Sequence, residues 1–327
     1  MTTRREALVT IGTTLLGFSR GSRAQPTAKV PRIGYLSRAT EQERGVMLGA
    51  LKDGLRELGY IDGKNIALDI RWAGSDASTL PELAASLVRT NPSAIIGTCI
   101  PTTRAAKVAT KTIPVVMSVD GDPVVAGLVS SLARPGGNVT GTSTQFDELI
   151  LKWLELLHAA VPQVRHFGFF SHDNPYFWAQ LEGVAKSMGI ETVGIEIGIL
   201  NSLADLDRAF DDMQKQGAGA LVVMTDAFMA GHLDRIVALA DRYQLPAIYG
   251  FREFAEAGGL MSYGLSYRDY YKGVARYIDL VLKGAKPANL PVEQASRIEL
   301  VINLATARKL GVVLPAQLLA RADRLIG

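Results

Sequence analysis

Carboxylates recur where apolar runs of this chain stop. Asp120 and Asp122 close "VVMSVDGDPV" (115–124), Asp173 stands in "SHDNPYF" (171–177), and Asp226 follows "ALVVMT" (220–225). A carboxylate carried to a strand end can accept a charge-assisted hydrogen bond from a ligand ammonium, worth about 1.5–3 kcal/mol. Other run ends add different groups: Ser37 after "RIGYLS", Cys99 and Thr102 in "TCIPTT", and His172, Asn174 and Tyr176 in "SHDNPYF". Thr225 precedes Asp226, and Arg252 and Glu253 lie in "GFREF". Hydroxyls, acids, amides and aromatics together suit a small polar ligand. Backbone N–H groups at the start of the helix after "TCIP", with Thr102, favour an anionic group, as helix N-termini do. Asp120 and Asp226 are then expected to face an amine or hydroxyl, so a zwitterion fits both ends. Asp122 followed by Pro123 also has the chemistry of a helix N-cap.

Catalytic patterns are missing from these positions. The sequence has no G-x-x-x-x-G-K-[ST], no G-x-G-x-x-G after the first apolar run, no H-E-x-x-H and no G-x-S-x-G. His158, His166, His172 and His232 are scattered, and only His172 falls at a strand end. Cys99, the single cysteine, excludes an internal disulfide and every multi-cysteine metal motif. The reading is therefore a binding module with no catalytic residues, no metal and no cofactor. An exported α/β hydrolase is the enzyme alternative, and a ligand sensor docking to a membrane receptor is the other.

The elements that must position these groups follow a βαβα rhythm. "RIGYLS" (32–37), "NIALDIRW" (65–72), "SAIIGT" (93–98) and "IPVVMSV" (113–119) read as strands, separated by amphipathic stretches at 44–59, 80–90 and 102–110. "ARPGGNVTGTS" (133–143) breaks the rhythm with a turn and a short strand-like piece. The alternation then restarts, with strands at 166–171, 220–225, 246–250 and 297–304, and helices that include 231–245, 267–287 and 315–325. This pattern predicts an α/β protein of two doubly wound parallel-sheet lobes with helices on both faces. Gly, Ser and Pro interrupt it near 139–144, 262–266 and 288–296, which predicts a three-crossover hinge. The expected division is 25–143 plus 265–290 for lobe 1 and 144–264 plus 291–327 for lobe 2. In open parallel sheets ligands bind outside the carboxyl ends of the strands, which is where the polar groups fall.

Residues 1–24 read as an export signal. Arg4 and Arg5 precede an apolar run from Ala7 to Phe18, and Ser22 and Ala24 occupy the −3 and −1 positions of a cleavage site after Ala24. The T-R-R order matches a twin-arginine signal, and a periplasmic protein is expected. This segment carries Arg4, Arg5, Arg20 and Arg23 against Glu6, which accounts for the whole net charge of +3. The remainder is charge-balanced, which argues against nucleic-acid binding.

Several blocks resemble a known family. "PRIGYLS", "LGALKDGLRELGYIDGKNIALDIRWA", "DPVVAGLV", "RPGGNVTG" and "IELVINLATARKLGVVLPAQLLARAD" are similar to the ABC transporter substrate-binding proteins of the TrpX-like group, related to tryptophan- and tyrosine-binding proteins. The resemblance runs from about residue 30 to 325. It implies a type I periplasmic-binding-protein fold and capture of a small solute, often an amino acid, for an ABC permease in the cytoplasmic membrane; a monomer is expected. It places ligand loops on Cys99 to Thr102, Asp122 and Pro123, His172 to Asn174, Thr225 and Asp226, and Gly250 to Glu253. This chain departs from the aromatic-amino-acid binders in "CIPT" and "GFREF", where Arg252 offers a site for an acidic group.

Overall fold

The computed structural model describes residues 30–74, 76–119, 121–144, 149–170, 175–194, 203–224, 227–295 and 297–327. Pro31 to Gly327 is one compact unit containing two sheets. The first half runs β1 (Arg32–Ser37), α1 (Glu41–Glu57), β2 (Ala67–Trp72), α2 (Leu80–Arg89), β3 (Ala94–Gly97), α3 (Ile100–Ala109), β4 (Val115–Val119) and β5 (Val139–Ser143). The chain then crosses to α4 (Ile150–Ala160), β6 (His166–Phe170), α5 (Pro175–Ser187), β7 (Glu191–Gly194), α6 (Leu203–Lys215), β8 (Ala220–Val223), α7 (Ala227–Gly231) and α8 (Leu233–Arg242). β9 (Ala247–Phe251), α9 (Arg252–Glu256) and β10 (Met261–Leu265) follow. α10 (Tyr267–Leu282) and β11 (Glu293–Gln294) return to the first half. β12 (Glu299–Asn303), α11 (Leu304–Lys309), α12 (Ala316–Ala320) and β13 (Arg324–Ile326) end the chain.

Among the described residues the first sheet has the order β11-β5-β4-β3-β1-β2 and the second β13-β12-β10-β9-β8-β6-β7. Every pairing is parallel except β10 with β12. β3, β4, β5 and β8 are buried along their whole length, as strands covered by helices on both faces must be. The expected α/β class, the two lobes and the triple crossover are all present. The chain changes sheet between β5 and α4, at Ser266, and between β11 and β12, and Glu293 and Gln294 still pair with β5 in the first sheet.

Two glycines allow backbone approaches that no other residue would. Gly141 sits at φ +133, and a Cβ there would lie 2.2 Å from Met117 O and 2.6 Å from Met117 N. Gly264, just before the second crossover, would place a Cβ 1.8 Å from Gly250 O, where the β9–β10 register shifts. Trp153 Nε1 donates to Tyr263 O at 2.6 Å and fixes α4 on β10. α1 packs on α10 and also on α7 of the second lobe, so Met47, Leu48, Met229 and Ala230 share one apolar cluster. No described helix is long and apolar enough to cross a membrane.

The architecture corrects the sequence reading in three places. Residues 191–194 and 203–215, to which the sequence reading gives no element, form β7 and α6, and Leu206, Ala209, Phe210 and Met213 of α6 repeat at helical spacing and are buried. The helix expected at 315–325 stops at Ala320, and the chain adds β13 to the edge of β12 instead. Asp323 sets this up: its N–H donates to Leu300 O at 2.9 Å, and its carboxylate accepts Leu300 N–H at 2.7 Å. The helix expected at 267–287 ends at Leu282, capped through Lys283.

Candidate functional site

The strand order brings β1, β3 and β4 side by side, so their carboxyl ends form one edge of the first lobe. β1 ends on the buried Ser37, whose hydroxyl accepts Ala39 N–H at 3.2 Å and turns the chain off the sheet. Beyond β3, Thr98 donates its N–H and its hydroxyl to Leu36 O at 3.3 and 3.2 Å. This lays "TCIPTT" beside Ser37. Cys99 is the extended N-cap of α3. The Thr102 hydroxyl accepts Cys99 N–H at 3.0 Å and donates to Cys99 O at 2.9 Å, with Cys99 Sγ 3.4 Å away. The Thr102 side chain is fully buried and its hydroxyl is committed to this cap. Its place in the site is to shape the helix start.

The loop after β4 is built from its own carboxylate. Asp122 Oδ1 accepts Val124 N–H at 2.7 Å and Val125 N–H at 3.2 Å. A helix was expected behind it, but 123–127 form a single turn. The carbonyls that a longer helix would use internally are taken by α3: Arg104 donates to Ala126 O at 3.0 Å and Lys107 to Gly127 O at 2.7 Å. The first crossover is stitched to the same loop, with Ser143 Oγ donating to Gly121 O at 2.8 Å and Thr144 N–H to Val119 O at 3.1 Å. Asp120 lies outside the described residues.

In the second lobe, His172, Asn174, Thr225 and Asp226 also lie outside the described residues, and Tyr176 falls in the first turn of α5. Arg252 and Glu253 open α9 at the end of β9. Glu253 is 5% exposed, and its carboxylate accepts Ser266 Oγ–H at 2.6 Å and Tyr267 N–H at 3.4 Å. Burial raises its pKa above the ordinary glutamate value, and those hydrogen bonds oppose the rise. Arg252 Nη1 donates to Glu299 Oε2 at 3.1 Å, while Asp269 and Glu256 carboxylates each lie 3.5 Å from its guanidinium. Of the expected site residues, the structure thus gathers Ser37, Cys99, Thr102 and Asp122 on one edge. Arg252 and Glu253 are engaged with the second and third crossovers.

Sequence reasoning missed Ser266 and Tyr270. Ser266 accepts Asp269 N–H at 3.2 Å and caps α10, and the S-x-x-D spacing before an amphipathic run was the available signal. The Tyr270 hydroxyl reaches Val119 O at 3.4 Å and Thr142 O at 3.3 Å, which joins α10 to the ends of β4 and β5. A cavity of about 140 Å³ beside the crossovers is lined by Thr142, Ser266, Asp269, Tyr270, Glu293 and Arg297 among others.

Two α/β lobes, crossed three times by the chain and ending their strands in polar loops, define a bilobed solute-binding protein of the type I periplasmic kind. The chain belongs to the ABC transporter substrate-binding protein family, whose model matches residues 42–326. It is 32% identical over 261 residues to a tyrosine-binding protein of Clostridioides difficile, covering 78% of this chain and 74% of that one. It is 27% identical to an ABC domain of Streptococcus pneumoniae in complex with L-Trp, with a TM-score of 0.73 over 90% of this chain and 99% of the other. A conserved domain protein of Vibrio cholerae matches at 28% identity and a TM-score of 0.73, over 91% and 100%. Members of the family are extracytoplasmic, bind small-molecule solutes rather than transform them, and work with ABC permeases.

Proposed function

We propose that this protein is exported to the periplasm with loss of residues 1–24, captures an amino-acid-like zwitterion between its lobes, and hands it to an ABC importer. The observation that carries this reading is the 261-residue match to a tyrosine-binding protein. The L-Trp-bound structural relative supports the same solute class. The chemistry agrees: the α3 N-terminus favours a carboxylate, and Asp120 and Asp226 follow β4 and β8 in the chain, where an ammonium would need an acid. Capture needs no metal, cofactor or nucleic acid, and the protein acts as a monomer.

Mass spectrometry of protein purified natively from the cell envelope tests the reading, followed by calorimetric titration with L-tyrosine, L-tryptophan and non-aromatic amino acids. The expected result is a chain starting near Gln25 that carries, or saturably binds, one amino acid. An intact Met1 on envelope material would overturn the export reading. Absence of binding to any amino acid would overturn the solute class.

A further inference from the structure

Arg252 and Glu253 follow the end of β9, the kind of position where parallel sheets bind ligands, yet their side chains turn to the hinge. Ser266 is the single residue between β10 of the second lobe and α10, which packs on β4 and β5 of the first. Glu253 holds both the hydroxyl of Ser266 and the N–H of Tyr267, one residue further on. Arg252 reaches Glu299 where the third crossover re-enters the second sheet, and Glu299 also accepts Arg297 Nε at 2.8 Å from within that crossover. Two consecutive residues of α9 therefore grip two of the three crossovers. Their strengths differ. The Glu253–Ser266 bond is buried and charge-assisted, which makes it strong, whereas the Arg252–Glu299 pair, 3.1 Å apart, leaves both side chains partly open to solvent, which weakens it.

Rotation of one lobe on the other must change backbone dihedrals in the crossovers. Around 265–267 that change would move the Ser266 hydroxyl and the Tyr267 N–H relative to each other and to the carboxylate that holds both. We infer that Glu253, backed by Arg252, is a positioning residue for solute capture: it fixes the direction in which α10 leaves β10, and so the resting angle between the lobes, without touching the solute. This rests on the solute-capture reading above. It has a distinctive consequence. A residue that sets only the fraction of binding-competent molecules scales the apparent affinity for every solute by one common factor. A residue that contacts the solute scales different solutes differently.

The test uses the full mature chain and four variants: Glu253→Gln, Ser266→Ala, the double variant and Arg252→Gln. L-tyrosine and L-tryptophan are titrated calorimetrically, and small-angle scattering gives the radius of gyration of the solute-free proteins. Glu253→Gln and Ser266→Ala are expected to shift both dissociation constants by the same factor, roughly five- to fiftyfold. The double variant should be no worse than the poorer single, Arg252→Gln should show a smaller common shift, and the solute-free radius of gyration should move. Should Glu253→Gln fail to fold, Ser266→Ala carries the comparison. Abolished binding in Glu253→Gln with Ser266→Ala at the wild-type values would make Glu253 a solute contact and overturn the inference. So would wild-type affinities and scattering in both variants. If neither amino acid binds the wild type, the solute class fails on its own, and solute-free scattering alone decides: unchanged radii in both variants overturn the hinge role, changed radii uphold it.

Discussion

At the residue scale, the aspartates that follow β4 and β8 in the chain are expected to divide their work. Asp122 satisfies two backbone N–H groups of its own turn, so Asp122→Ala should lower stability by about 1 kcal/mol in a chemical melt and leave solute affinity near wild type. Asp120→Ala and Asp226→Ala should do the reverse. Each should weaken amino-acid binding about ten- to a hundredfold by titration, the value of a charge-assisted bond to an ammonium. Wild-type affinity in both would remove the ammonium from the reading. Residue type at a strand end was legible in the sequence because β-strand periodicity and the parallel-sheet rule fix where strands end and where ligands sit. Partners were less legible. The Thr102 hydroxyl is spent on Cys99 three residues away, and Glu253 on Ser266 thirteen residues away across a β10 strand. The first pairing was readable as local capping chemistry. The second depends on β9 and β10 lying adjacent, which no local pattern announces.

Elements here owe their positions to a few backbone approaches. Gly141→Ala should destabilise by about 1–3 kcal/mol from backbone strain alone, with the clash on Met117 added, while Gly137→Ala, which meets nothing within 4 Å, should stay near wild type in the same urea titration. Glu253 gives the α9–α10 junction a pH signature. Its pKa is raised by burial, so between the ordinary glutamate value of about 4.3 and the raised one the native state keeps a proton that the unfolded chain has released. Stability from this group therefore falls as pH rises through that window and is flat above it. The neighbouring Arg252 guanidinium and the buried Tyr267 stay in one charge state there. Glu253→Gln should flatten the profile, and an identical slope in wild type and variant would remove the assignment. The elements themselves were mostly readable. α6 had clear helical spacing, whereas the stop of α12 at Ala320 was hidden because an alanine- and leucine-rich segment reads as helix until an unpaired strand edge takes up Arg324–Ile326.

At the scale of the molecule, the rhythm of apolar runs was sufficient for two doubly wound lobes and three crossovers, because burial on both faces demands it. What the rhythm leaves out is contact between the lobes. α1 belongs to the first lobe, yet it meets α7 of the second, and the side chains involved are apolar: Met47 and Leu48 share a cluster with Met229 and Ala230. Apolar faces that separate are rehydrated, and rehydration is read as heat capacity, about 0.45 cal/mol/K for each Å² exposed. The structure has α7 on α1, so a solute that favours this arrangement over one with the two helices apart should bind with a negative heat-capacity change larger than burial of the solute itself supplies. Titrations of the cognate amino acid at several temperatures would show it. Met229→Ala should shrink it while leaving the polar contacts to the solute in place, so the calorimeter would register closure as a change in the slope of enthalpy with temperature.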